Sequence, residues 1–288
     1  NMFALGIVYW MFNRPMQQTE SFLKTKFKKS PDLVEANIKV MHAGYNFADT
    51  IEALSSSYTV LSAKLPKGTY RNVMGNQAMS WGFLAAAENA KKELFLGSYP
   101  ITPASDILHE LAKHKNLGVK TFQAEDEIAG VCSAIGASFC GSLAITTTSG
   151  PGLALKGEGI GLAIMTELPL VVVDVQRGGP STGLPTKTEQ SDLMQALYGR
   201  NGESPAVVLA SSTPANCFDW AYQASKITLE HNTPVILLSD GYLGNGAEPW
   251  KIKSTNDMPK INPNVAKEED NYFPYARDKK TFSRKIAI

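Results

Sequence analysis

The chain has 288 residues, a length typical of one large domain or two small ones, and 43% of them are hydrophobic. Its formal net charge of +1 gives no reason to expect nucleic acid or an anionic membrane as a partner. The three cysteines form no CxxC pair, which argues against a disulfide framework or a cysteine-ligated metal cluster and favours a reducing cytoplasm as the setting.

Residues 1–66 have the pattern of helices. The opening run MFALGIVYWMF is too short for a membrane span, which needs roughly twenty residues, and lacks the basic flank of a signal peptide. It predicts a buried helix that ends at NRP. The segments QTESFLKTKFK and DLVEANIKVMHAGYNFADTIEAL also have apolar residues at helical spacing. The chain enters its first helix directly after Asn1, so we expect it to be a piece of a longer polypeptide.

Residues 65–77 combine Pro, Gly and Asn with little periodicity, which predicts a domain boundary. Beyond it, short apolar runs alternate with helical patterns. The predicted strands are ELFLGSY, KTFQA, SLAITTTS, LPLVVVDV, PAVVLAS and TPVILLS. Because the runs are continuously apolar, they indicate an α/β domain whose parallel sheet is covered on both faces. We therefore predict domains at 1–72 and 73–255, followed by a linker or arm at 256–288.

Three of the predicted helices bear on the site. SDILHELAKHK has Ser105 or Asp106 as its expected cap, GLALKGEGIGLAIMTE is predicted to form one continuous helix, and EQSDLMQALYG is predicted to form another.

Ligands of open parallel sheets bind outside the carboxyl ends of the strands. The loops expected there are SYPITP, EDE, TSGPG, QRGGPSTG and DG. Most combine Gly or Pro with a hydroxyl, a carboxylate or a guanidinium, and they predict a site along one edge.

Each loop also has a purely structural interpretation. Pro103 keeps Thr102 out of the α region, so PITP could be only a stiff turn. Acids in the first turn of a helix interact favourably with its dipole, which would account for Glu125 and Asp126. Arg177 ends an apolar strand and calls for an anionic partner, for which a carboxylate is best suited, although an internal Asp or Glu could serve. No motif for a catalytic serine, a P-loop or a metal site is present.

Four segments, GSYPITPASD, AEDEIAGVCSAIGAS, TTTSGPGLALKGEGIGLA and DVQRGGPSTGLPTKTEQSDL, occur in this order. Together they resemble the α subunit of 2-oxoacid:ferredoxin oxidoreductases, strongly over residues 73–255. The type that they resemble most is the 2-oxoglutarate enzyme, whose α subunit carries a fused N-terminal γ domain. Residues 1–72 resemble, more weakly, the helical end of that γ domain with a linker.

The resemblance implies a pyrimidine-type thiamine diphosphate-binding domain and assigns roles to matching residues. Glu127 matches the glutamate that hydrogen-bonds the aminopyrimidine ring of the cofactor and assists its proton transfers. The remaining matches are substrate-carboxylate contacts at Thr102, Arg177 and Thr186, cofactor contacts at Ser149 and Gly150, and a position near the active-site rim at Lys156. No metal ligand is expected in this chain.

The implied reaction is oxidative decarboxylation of a 2-oxoacid to acyl-CoA and CO₂ with reduction of ferredoxin, or its reverse. Thiamine diphosphate would be shared with a β subunit, which would also carry Mg²⁺ and a [4Fe-4S] cluster. The expected assembly is a cytoplasmic αβ heterodimer or its dimer, and this chain would be inactive alone. Three alternatives stay open: a pyruvate or branched-chain 2-oxoacid enzyme, a transketolase-like thiamine enzyme, and a non-catalytic assembly subunit.

Overall fold

The computed structural model describes residues 1–52, 58–266, 271–273 and 275–286. Its internal contacts divide the chain into two compact units, Asn1–Lys67 and Gly68–Ile288. This division falls a few residues before the boundary drawn from the sequence, because the segment after Gly68 forms a strand that pairs within the second unit. The end of the third predicted helix extends into residues 53–57, outside the described residues.

The first unit consists of helices α1 (Met2–Met11), α2 (Gln17–Lys26) and α3 (Pro31–Thr50). Helices α1 and α3 cross so closely that a Cβ on Gly6 would stand 1.9 Å from the Met41 carbonyl oxygen. The prediction that α1 is buried is wrong: only Gly6 is buried, and Phe3 and Val8 remain exposed. The helix packs on α3 along its glycine side, and Tyr9 also hydrogen-bonds to Thr19 of α2 at 2.5 Å.

The second unit is built on a six-stranded, wholly parallel sheet, which confirms the predicted α/β class. Its strands are β2 (Leu94–Ser98), β3 (Val119–Gln123), β4 (Leu143–Thr148), β5 (Leu170–Gln176), β6 (Val207–Ala210) and β7 (Pro234–Asp240). They lie in the order β3-β2-β4-β5-β7-β6. All six correspond to predicted strands. Two further strands, β1 (Tyr70–Met74) and β8 (Ala247–Lys251), form a separate antiparallel pair that the sequence pattern did not indicate.

Helices cover both faces of the sheet. They are α4 (Gly75–Ala90), α5 (Ser105–Leu111), α6 (Glu127–Phe139), α7 (Gly150–Leu155), α8 (Gly157–Met165), α9 (Leu193–Tyr198), α10 (Cys217–His231) and α11 (Gly241–Asn245). Phe83, Ile107 and Phe218 bring α4, α5 and α10 onto one face, and α6 to α9 pack on the other through side chains such as Val131 and Ile160. The core therefore lies in two layers, one on each face.

Three helices differ from their predicted form. Ala104 precedes α5 and no side chain caps it, so the proposed cap at Ser105 or Asp106 is wrong. The single helix predicted over 152–167 is divided at Lys156 into α7 and α8. The helix predicted from EQSDLMQALYG begins only at Leu193, because Glu189 and Gln190 before it bind Gly179, just after β5, and Asp240, at the end of β7. The described part of 256–286 packs on the end of α10, where Asn264 donates to the Leu229 carbonyl.

Candidate active site at the carboxyl edge of the sheet

The carboxyl ends of the parallel strands meet at one edge of the sheet, as predicted for an open α/β fold. Strands β2, β4 and β5 are neighbours in the sheet, so the loops that follow Ser98, Thr148 and Gln176 lie side by side. The loop after β3 and the residues after β7 flank them. This edge is built from backbone that the sheet holds in place, which is the kind of support that a site needs.

Arg177 is the cation at the centre of this edge. The residue is only 5% exposed, and its guanidinium donates from Nη1 to the Thr102 carbonyl at 2.7 Å and from Nη2 to the Thr182 carbonyl at 2.6 Å. Its Nε–H has no acceptor, and in the described ranges no carboxylate lies within ion-pair distance of it. The internal acid that the sequence left open as a partner is therefore not found in that part of the chain. Arg177 joins two loops and keeps one N–H edge unused.

The segment 177–192, here called the anchor loop, returns to the sheet edge through several bonds. Gly178 exchanges backbone hydrogen bonds with Leu184 and Lys187 at 2.8 Å each. Glu189 accepts from the Gly179 N–H at 2.9 Å, and Gln190 donates to Asp240 at 2.7 Å. These bonds explain why residues 189–192 do not join α9, and they fix the loop that carries Arg177.

The two threonines assigned to substrate binding lie on different loops. Thr102 is exposed and adjoins Arg177 through its own carbonyl, so the PITP turn and the guanidinium belong to one arrangement. Thr186 is exposed in a tight turn closed by the Lys187 N–H bond to the Leu184 carbonyl at 3.0 Å. The structure thus brings Thr102 to Arg177, and it presents Thr186 on the returning half of the anchor loop.

Glu127 begins α6 directly after the loop that follows β3. Asp126 caps this helix by accepting from the Ala129 N–H at 2.7 Å, which leaves Glu127 without a capping task. The side chain is 8% exposed, and its carboxylate accepts no hydrogen bond from any residue that the structure describes. It lies against Gly152, where a Cβ would stand 2.8 Å from the Glu127 Cγ and 1.9 Å from the Thr148 Oγ1. Gly152, the second glycine of TSGPG, therefore makes room for the Glu127 side chain.

Lys156 lies beneath Glu127 and not on an open rim. It is fully buried, and its Nζ donates to the Glu127 carbonyl at 2.9 Å. Burial lowers the pKa of Lys156 to about 8, although the nearby acids Glu127 and Asp126 act in the opposite direction. The lysine ties the break between α7 and α8 to the first turn of α6, so it supports the position of Glu127.

Ser149 and Gly150 are buried where β4 passes into α7. The Ser149 hydroxyl has no partner among the residues described, and Gly150 is covered by Asp192, whose carboxylate would stand 2.6–2.9 Å from an added Cβ. Gly150, Arg177 and Asp192 line an open cleft of about 690 Å³, whose wall on one side is the anchor loop. Ser149 does not line this cleft.

Arg177 lines this cleft, whereas Glu127, Thr102 and Thr186 do not. The Arg177 Nε–H has no acceptor among the described residues, and a guanidinium is the side chain best suited to a carboxylate. The carboxylate of Glu127, which has no internal donor, can accept a hydrogen bond from a ring of the aminopyrimidine type. The unpartnered carboxylate and the glycine that makes space for it therefore fit thiamine diphosphate. Within the described ranges, no group of three or more His, Cys, Asp or Glu side chains is arranged for a metal ion.

One part of this edge was missed from the sequence. Asp174 and Asp192 face each other behind the cleft, and Gln176 accepts from the Asp192 N–H at 3.0 Å. The signal was present, because Asp174 is the one acid in the run LPLVVVDV and a buried acid needs a partner. The position of Asp192 above the sheet had no such signal.

Comparisons with known proteins agree with this geometry. Residues 86–288 match the family described as pyruvate flavodoxin/ferredoxin oxidoreductase, thiamine diphosphate-binding. The chain is 55% identical over its full length to 2-oxoglutarate oxidoreductase subunit KorA of Mycobacterium tuberculosis, of which it covers 44%. Over 61% of the chain it is 44% identical to 2-oxoglutarate synthase subunit KorA of Archaeoglobus fulgidus, of which it covers 50%.

Among solved structures, the 2-oxoglutarate:ferredoxin oxidoreductase from Magnetococcus marinus, with 2-oxoglutarate, coenzyme A and succinyl-CoA bound, superposes with a TM-score of 0.83 at 36% identity. The match covers 99% of this chain and 49% of that one, so the chain spans about half the length of these relatives. In the described residues no helix has the length and apolarity to cross a bilayer. The resemblance seen in the sequence is confirmed: this chain belongs to the pyruvate flavodoxin/ferredoxin oxidoreductase family and contains its thiamine diphosphate-binding domain.

Proposed function

We propose that the chain is part of the α subunit of a 2-oxoacid:ferredoxin oxidoreductase that acts on 2-oxoglutarate. The observation that carries this proposal is the buried Arg177, which lines the cleft and has an N–H edge without a partner. The names of the similar proteins, which specify 2-oxoglutarate, support this substrate over pyruvate. Residues 1–72 would then be the helical end of a γ domain.

The reaction consumes 2-oxoglutarate, coenzyme A and two oxidised ferredoxins, and it yields succinyl-CoA, CO₂, two reduced ferredoxins and a proton. When bound, thiamine diphosphate supplies the electron sink that allows loss of CO₂ from the 2-oxoacid. The residues of this chain bind and orient the reactants. Arg177 receives the carboxylate next to the keto group, with the hydroxyls of Thr102 and Thr186 as further donors to it.

Glu127 holds the proton-transfer position. Its carboxylate would accept a hydrogen bond from the aminopyrimidine ring of thiamine diphosphate and so assist the proton transfers of the cofactor. Two residues keep this carboxylate in place. Lys156 donates to the backbone carbonyl of Glu127, and Gly152, which has no side chain, leaves space for the Glu127 side chain. Ser149 and Gly150 would line the cofactor side of the same strand end. The fold thus contributes a fixed position for the Glu127 carboxylate.

The partner β subunit would complete the site. We assign to it the Mg²⁺ ion with the diphosphate and the [4Fe-4S] cluster that passes electrons to ferredoxin. The three cysteines of this chain lie apart, with Cys132 and Cys140 exposed at α6 and Cys217 buried in α10. The proposed assembly is an αβ heterodimer or its dimer in the cytoplasm.

The test is turnover of the full-length α subunit assembled with its β partner. Reduction of ferredoxin or a viologen dye is followed with 2-oxoglutarate, pyruvate or 2-oxoisovalerate, each with and without coenzyme A. The proposal expects the highest kcat/KM for 2-oxoglutarate and a requirement for coenzyme A. Preference for pyruvate or 2-oxoisovalerate would move the assignment to another member of the family. Transfer of a two-carbon unit between sugars without an electron acceptor would favour the transketolase-like alternative.

A further inference from the structure

One acidic residue lies inside the most apolar strand of the sheet. Asp174 stands between Val173 and Val175 in β5 and is fully buried. In the parallel register it lies beside Thr148 of β4 and Leu238 of β7. Neither of its carboxyl oxygens has a hydrogen-bond partner among the described donors. An ionised carboxylate in such surroundings is strongly unfavourable, so this side chain calls for a proton.

The group that faces Asp174 is another carboxyl, that of Asp192. Asp192 precedes α9, but its side chain does not cap that helix. Its backbone N–H donates to the Gln176 Oε1 atom at 3.0 Å, and its Oδ2 atom is buried without a donor. The Asp192 carboxylate packs directly on Gly150, because a Cβ added to Gly150 would stand 2.6 Å from the Asp192 Oδ2 atom. Two facing carboxyl groups are thus held together with no donor for either.

We propose that Asp174 and Asp192 share one proton in a carboxylic acid–carboxylate hydrogen bond, and that this bond holds the end of the anchor loop on β5, the strand from which the loop starts. The proton resides on Asp174, the more deeply buried of the two, and its O–H donates to the Asp192 carboxylate. A single proton supplies the donor that both side chains lack. The two aspartates are positioning residues, since neither needs to touch the substrate.

The electrostatics of the pair agree with this geometry. Burial, followed by the charge of Asp192, raises the pKa of Asp174 well above its ordinary value. Burial also raises the pKa of Asp192, with a further contribution from Glu189 on the same loop, while the bond from Asp174 acts in the opposite direction. The pair therefore holds its proton at a pH where exposed aspartates are ionised.

The other charged groups described at this edge do not pair with the two aspartates. The cations Arg177 and Lys156 both donate to backbone carbonyls. Glu127 lies against Gly152, and Asp240 accepts from Gln190 and from the first turn of α11. Helix α7 has no charged side chain, and in α9 Tyr198 is the one titratable residue and is exposed. Among these groups none provides a cationic partner for either aspartate.

The position of the pair gives it a role in the site. Asp174 comes three residues before Arg177, and Asp192 is the last residue of the anchor loop, so the bond closes the base of the loop that presents the guanidinium. This role deepens the proposed function and rests on it, because only a carboxylate substrate would report the position of Arg177. The shared proton itself does not depend on which substrate is used.

The test compares Asp174→Asn and Asp174→Val in the full-length subunit assembled with its partner. Asparagine donates an N–H to Asp192 without titrating, whereas valine matches the neighbouring strand residues and removes the donor. We expect Asp174→Asn to keep the KM for the 2-oxoacid within about 2-fold, and Asp174→Val to raise it about 10-fold or more with a smaller change in kcat. A wild-type KM in Asp174→Val would overturn the positioning role.

The shared proton has its own readouts. The folded chain keeps a proton that the unfolded chain releases above the ordinary aspartate pKa, so wild-type stability falls as pH rises from about 4. Asp174→Asn removes this loss, so its thermal midpoint should rise relative to that of wild type as the pH increases from about 4 to about 8. Infrared difference spectra should show the C=O stretch of a protonated carboxylic acid in wild type and its loss in Asp174→Asn.

A pH-independent difference in midpoint together with an absent band would overturn the shared proton. If Asp174→Val does not fold, the Asp174→Asn comparison and the infrared band still decide the question. Failure of the wild-type complex to turn over any 2-oxoacid would count against the proposed function alone, since the stability and infrared results need no substrate.

Discussion

Replacement of Arg177 by lysine tests the carboxylate-binding role at its centre. Two of the guanidinium nitrogens hold the carbonyls of Thr102 and Thr182, and the Nε edge is left for a ligand. Lysine keeps the positive charge, but its single nitrogen cannot hold both loops and also receive a carboxylate in bidentate form. The loss is at least one hydrogen bond to a charged group, worth about 1.5–3 kcal/mol.

That energy corresponds to a decrease in kcat/KM for the 2-oxoacid of about 10- to 100-fold, expressed chiefly as a higher KM. The assay is steady-state dye reduction by the full-length complex under saturating coenzyme A. Arg200→Lys is the matched control, because Arg200 also donates to backbone carbonyls, those of Ala196, Leu197 and Ser204, but does not line the cleft. A KM for Arg177→Lys equal to that of the control would refute the reasoning.

Two further predictions concern the surroundings of Glu127. Gly152→Ala should lower the free energy of unfolding by about 1–3 kcal/mol and reduce turnover, because the new Cβ would overlap Thr148 and displace the Glu127 side chain. The control is Gly161→Ala. An added Cβ there meets open space, so this variant should be neutral or stabilised by up to about 1 kcal/mol. Equal thermal midpoints and rates in both alanine variants would contradict the close packing. Lys156→Met should remove a pH dependence of stability: the folded pKa of about 8 lies below the ordinary value of 10.5, so wild type gains stability as pH rises from 8 towards 10.5. The gain in the free energy of unfolding, relative to that of the methionine variant, is up to about 3 kcal/mol. It is measured by denaturant unfolding of both proteins at about pH 8 and about pH 10. If the difference between the two proteins were the same at both pH values, Lys156 would not be a buried residue that titrates in this range.

The parallel sheet could be predicted because its strands are short apolar runs between helical segments. A run such as LPLVVVDV leaves few alternatives to a strand buried on both faces, and β5 is indeed fully buried. The edge that holds the site followed from the same argument, since parallel strands bring their carboxyl ends together. Thr102 and Arg177 could therefore be expected to lie close, and a hydrogen bond joins them.

What could not be predicted depends on contacts between distant segments. The start of α9 at Leu193 follows from the bonds of Glu189 to Gly179 and of Gln190 to Asp240 at the end of β7, which helical periodicity does not register. Strand β1 has no clear apolar pattern of its own and is stabilised by pairing with β8, which follows more than 170 residues later. Tyr70 lies opposite Lys251 in this pair. The burial of Lys156 likewise depends on how α6 crosses the break between α7 and α8.

The most direct test of the account is the rate of Glu127→Gln in the assembled full-length enzyme. Glu125→Gln is the matched control, since Glu125 is an exposed acid two residues earlier, in the loop before α6. If Glu127 serves the cofactor ring, the glutamine variant should lose about 100-fold or more in kcat for 2-oxoglutarate oxidation, as expected for a general acid–base group, while Glu125→Gln keeps the wild-type rate. Wild-type turnover by a folded, cofactor-loaded Glu127→Gln enzyme would contradict the central claim.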